Sequence, residues 1–87
     1  MDNTYTIRFF SKSGEIKTWD YSDRLAAKTD FERMGNMTVH EVERLIGKTD
    51  ERIKKVVLAN GIILGEIVFN NGTGTINWTE GKYAEVR

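Results

Sequence analysis

The sequence predicts an α+β domain, a small antiparallel sheet packed on two helices with elements in the order β-β-α-α-β-β-β. Three features predict it. Two apolar stretches with a period of two lie between Thr4 and Tyr21, a helix with both ends marked fills Thr38 to Gly47, and Gly65 to Thr79 (GEIVFNNGTGTINWT) specifies a β-hairpin closely enough to assign partners. Eighty-seven residues suffice for one domain with one core.

Thr4 to Ser11 places Tyr5, Ile7 and Phe9 opposite Thr6, Arg8 and Phe10, a strand with one strongly apolar face. Lys12, Ser13 and Gly14 turn the chain into a second strand, Glu15 to Tyr21, in which Ile16, Thr18 and Asp20 oppose Lys17, Trp19 and Tyr21. Both faces of that strand carry apolar groups, and Phe10, Trp19 and Tyr21 exceed what a solvated reverse face requires.

A helix is expected from Ser22, with Asp23 in its first turn, Ala27, Phe31 and Met34 as the core stripe, and Gly35-Asn36 as its stop. Thr29 and Glu32 also fit a capping box, so the helix could restart there. In the second helix Thr38 caps, Glu41 completes a box, Val39, Val42 and Ile46 form the stripe beside Leu45, and Gly47 ends it.

Arg52 to Ala59 admits two readings. As a helix it has Thr49 as cap, Ile53, Val56, Val57 and Asn60 on one side, and favourable pairs Asp50–Lys54 and Glu51–Lys55. As a strand, Val56 to Ala59 turns at Asn60-Gly61 into Ile62-Ile63-Leu64. Its β-branched residues favour the strand. In the last hairpin a type I′ turn at Asn71-Gly72 pairs Asn70 with Thr73, Phe69 with Gly74, Ile67 with Ile76 and Gly65 with Trp78. Ile67, Phe69, Ile76 and Trp78 then share one face, Glu66, Val68, Thr75 and Asn77 the other, and each strand glycine faces an aromatic ring. The expected core is Ile7, Phe9, Ile16, Phe31, Met34, Val42, Ile46, Val57, Ile67, Phe69 and Ile76.

Thirteen Lys and Arg balance thirteen Asp and Glu, so no whole-molecule field favours nucleic acid or an acidic partner. Without cysteine there are no disulfides or thiolate sites. The N-terminus lacks a signal-peptide pattern and no apolar run spans a bilayer, so a cytoplasmic protein without a membrane partner is expected. The Asn-x-Thr triplets at Asn36, Asn71 and Asn77 carry meaning only in a secretory pathway.

Chemistry-bearing patterns are sparse. The single histidine, His40, sits at the edge of the helical stripe, with Glu41 and Glu43 placed off its face and Arg44 on it, an unfavourable setting for a cation. The i,i+3 spacing of His40 and Glu43 is by itself no metal signature. Asn70 to Gly74 lacks the phosphate-loop pattern, and Asp23 near Asp20 is explained by helix N-terminal electrostatics. No catalytic residues, metal ligands or cofactor are therefore expected, and the chain reads as a non-enzyme.

In its helical reading, Thr38 to Gly61 resembles the helix-turn-helix of excisionase-like and winged-helix regulators. The likeness rests on Thr38, Val42, Leu45, Ile46 and Gly47, then Thr49, Ile53 and Val56, with the Gly65 to Thr79 hairpin as a wing. It implies DNA binding through Arg44, Lys48, Arg52, Lys54 and Lys55. Asp50 and Glu51 would oppose phosphate at the supposed recognition helix.

The leading functional expectation is a non-catalytic protein-binding module, a small regulator or inhibitor of a larger protein, including one encoded by a mobile element. Phe10, Trp19, Tyr21 and Tyr83 are its candidate contacts, with Trp78 a further aromatic. The partner is another protein or a second copy of the chain, and Val56 to Gly81 offers sheet edges for pairing. The alternatives are the DNA-binding regulator and a structural subunit of a homo-oligomer.

Overall fold

In the computed structural model, which describes residues 4–47 and 52–79, the two N-terminal stretches form β1 (Tyr5–Ser11) and β2 (Gly14–Tyr21). Helices α1 (Arg24–Gly35) and α2 (Val39–Ile46) follow, then β3 (Ile53–Asn60), β4 (Ile62–Asn70) and β5 (Thr73–Trp78). The strands make one antiparallel sheet in the order β2-β1-β3-β4-β5. This is the expected α+β architecture, with β3 at its centre. No described helix is long and apolar enough to cross a membrane.

Both helices lie on the same side of the sheet. Ala27, Phe31 and Met34 of α1 and Val39, Val42 and Ile46 of α2 join Ile7, Phe9, Ile53, Val56, Leu58, Leu64 and Ile67 in one buried cluster. Burying a side chain such as Phe9 or Ile67, both fully inaccessible, contributes roughly 1.5–3 kcal/mol. Ile16, Phe69 and Ile76, expected in the core, are only partly buried and pack at its rim.

The last hairpin has the expected register throughout, from Asn70 opposite Thr73 to Gly65 opposite Trp78. Asn71 and Gly72 both have positive φ, 55° and 85°, as a type I′ turn requires. A Cβ built on Gly65 would lie 2.9 Å from the Trp78 ring, and one on Gly74 would lie 3.1 Å from the Phe69 ring, so the rings do cover the bare backbone.

Helix α2 also matches, with Thr38 and Glu41 forming the reciprocal capping box and Gly47 in the left-handed region at φ 74°. Helix α1 starts later than expected. Asp23 is its N-cap rather than a first-turn residue, because its carboxylate accepts the Ala26 N–H at 2.9 Å. Thr29 and Glu32 stay inside an unbroken helix, so no restart occurs.

Residues 53–60 are strand, and the second helix of a helix-turn-helix is therefore absent. As the central strand, β3 finds backbone partners on both sides, in β1 and β4, and sends Val56 and Leu58 to the core with Val57 pointing away. The β3–β4 turn is tighter than the Asn60-Gly61 pair suggests. Asn60 faces Ile62 across Gly61 alone, and a register shift beside Leu58 makes Leu64 the extra residue, which the core absorbs.

Candidate functional site on the uncovered sheet face

Alternation that fills the core from one side of the sheet must load the other side as well. Next to Ile7 and Phe9 stand Arg8 and Phe10, between Val56 and Leu58 stands Val57, and around Ile67 stand Glu66 and Val68. None of the described helices packs on this second face. Strand pairing arranges it in rows across β1, β3 and β4. Arg8, Val57 and Glu66 form one row, Phe10, Lys55 and Val68 the next, and Thr6, Ala59 and Ile63 a third.

Apolar and charged side chains alternate across this face, with Val57 and Ala59 on the central strand beside Lys55. Val57 is only 4 % exposed, although no described helix packs on this face. The Lys55 amine lies between its neighbours, its Nζ 5.2 Å from the centre of the Phe10 ring and 3.9 Å from Glu66 Oε2. Arg8 has no ion pair among the described residues. Toward the β3–β4 turn, Ile62 and Ile63 are 59 % and 47 % exposed beside a shallow hollow floored by Thr6, Arg8 and Ala59.

The four aromatic candidates do not converge. Phe10 lies on the uncovered face, whereas Trp19 and Tyr21 lie on the helix side of edge strand β2, and Tyr83 falls outside the described residues. Trp19 packs edge-on against Phe9 at 5.0 Å, and Trp78 does the same against Phe31 at 5.5 Å. The Tyr21 hydroxyl donates to Asp30 Oδ2 at 2.7 Å. Burial first, and then that hydrogen bond and the charge of Asp30, push the phenol pKa above its ordinary value. Trp19, Tyr21 and Trp78 thus close the rim of the core.

The basic candidates are also dispersed. Arg44 lies on α2 beside Met37 and Leu45, Arg52 and Lys54 line a hollow under the start of α2, Lys55 is on the uncovered face, and Lys48 falls outside the described residues. That hollow, about 540 Å³, also contains Thr38, His40 and Phe69. Two of its polar side chains, His40 and Arg52, are engaged with the neighbouring Glu43.

Glu43 is the residue that sequence reasoning missed. Only 4 % exposed, it accepts the Ile53 N–H at 2.9 Å and lies 3.3 Å from both Arg52 Nε and His40 Nδ1. Glu43 therefore does share a face with His40, contrary to the helical projection, and it ties α2 to the start of β3. Among the described residues no group of three or more His, Asp or Glu side chains is placed to hold a metal ion.

The chain matches no family model, no characterised protein and no solved structure. Geometry alone carries the functional reading. Of the sheet edges expected to be available, β3 and β4 are interior, and β5 is an outer strand. The start of α2 is tied to β5 by the Thr38–Thr73 bridge and by the Val39 N–H to Gly72 carbonyl bond at 2.9 Å.

Proposed function

We propose that the protein is a non-catalytic, cytoplasmic protein-binding module, a small regulator or inhibitor, whose contact surface is the uncovered face of the sheet. A single observation carries this reading: Phe10, Val57, Val68 and Ala59 lie on a sheet face on which no described helix packs. Aromatic and aliphatic groups mixed with charged ones on an exposed face suit a protein contact. Arg8, Lys55 and Glu66 supply the charges among them.

The test uses the full chain as bait in extract of its native cell, beside the Phe10→Asp and Val68→Asp variants. A protein retained by the native chain and lost from both folded variants supports the reading. Equal retention by all three moves the contact surface elsewhere.

A further inference from the structure

We infer that the uncovered face takes a second copy of this chain, packed sheet to sheet about a two-fold axis running along β3. The inference rests on the proposed contact surface and names its occupant. Because β3 is the central strand of β2-β1-β3-β4-β5, a half-turn about an axis parallel to it lays β1 of one copy over β4 of the other. Residues in the same row then meet across the interface. Arg8 faces Glu66 of the second copy, and its own Glu66 faces the second Arg8. One row along, Phe10 faces Val68, and both contacts occur twice by symmetry.

Within one chain Arg8 and Glu66 are separated by the full width of β3, two strand spacings or about 9.6 Å, and they are not paired. A half-turn about an axis across the strands would instead set Arg8 on Arg8 and Glu66 on Glu66, so the charges choose the first arrangement. Lys55 lies on the axis with its amine between Phe10 on β1 and Glu66 on β4, so the two Lys55 amines approach each other and the neighbouring Glu66 carboxylates offset their charge. A formal net charge of zero adds no general repulsion between copies.

A five-stranded sheet face with about six residues per strand spans roughly 24 by 20 Å, or about 500 Å² in projection. Standard interfaces bury about 800 Å² per partner, so this pairing belongs to the weak, concentration-dependent class.

Sedimentation of the full chain between about 5 μM and 1 mM tests the inference, a range matched to weak association. The native chain should shift from monomer to dimer across that range. Arg8→Glu and Glu66→Arg should each weaken self-association by about tenfold or more, since each places like charges across both symmetric contacts. An equimolar mixture of the two variants should recover the dimer. In the mixed pair the two reversed charges face each other at one contact, and the unchanged Arg8 and Glu66 face each other at its symmetric twin. That recovery also shows that both variants are folded. A native chain that stays monomeric at 1 mM, or a mixture no stronger than either variant alone, overturns the inference. The extract experiment with Phe10→Asp and Val68→Asp still decides separately whether the face binds a different protein.

Discussion

Two faces of one sheet are built from similar residues and have different fates. On the helix side Val56, Leu58 and Ile67 are fully buried in one cluster with Phe31 and Val42, whereas Val57, Val68 and Phe10 lie on the other side, where no described helix packs. The same hydrophobic alternation thus produces the core on one side and the proposed contact surface on the other. What separates them is the position of the helices.

Paired truncations give the largest expected contrast. Phe31→Ala should lower unfolding free energy by about 3–5 kcal/mol, because it opens a cavity among fully buried groups and removes the edge contact with Trp78. Phe10→Ala on the uncovered face should cost less, about 1 kcal/mol, since the ring is only partly buried and lies outside the core cluster. Urea midpoints of the two variants check the comparison, and similar losses would erase the distinction between the faces.

A smaller effect tests how the helix layer is fastened to the sheet. Glu43→Ala should cost about 1–3 kcal/mol by leaving the Ile53 N–H without its buried acceptor. Hydrogen exchange at Ile53 should accelerate more than exchange at Ile67, which lies outside this contact.

Tyr21 at the rim gives the smallest change. Tyr21→Phe should cost about 1 kcal/mol at neutral pH through loss of the hydrogen bond to Asp30. The sign of its pH dependence follows from the raised folded-state pKa. The folded chain retains the phenolic proton above the ordinary value of 10.0, where the unfolded chain releases it, so the stabilisation is complete below that pH and declines as pH rises above it. The midpoint difference between native and Tyr21→Phe proteins should therefore shrink under alkaline conditions.

The last hairpin was legible residue by residue, because Asn71-Gly72 fixes the turn and a period of two then fixes every partner. Helix α2 was equally legible, since its signals lie within its own sequence. Ser22 and Asp23 are both good caps, and only the hydrogen bond to Ala26 chooses between them. The side taken by Trp19 and Tyr21 was hidden for a different reason. Alternation tells which residues share a face, but the helices decide which face becomes the core. Glu43 was opaque because its acceptor role depends on Ile53, ten residues away, being brought beneath α2. Lys28 is similar: a helix-surface lysine by sequence, it is only 3 % exposed, with its amine 3.0 Å from Glu32 and 5.6 Å from the centre of the Trp78 ring.

Methyl resonances of residues adjacent in sequence but opposite in orientation test the central claim most directly. On raising protein concentration or adding a captured partner, shifts should appear at Val57, Val68 and Ile63 and remain small at Val56, Leu58 and Ile67. Perturbations centred on α1, α2 or the hollow beside His40, with Val57 and Val68 unchanged, would contradict the assignment of the uncovered sheet face as the contact surface.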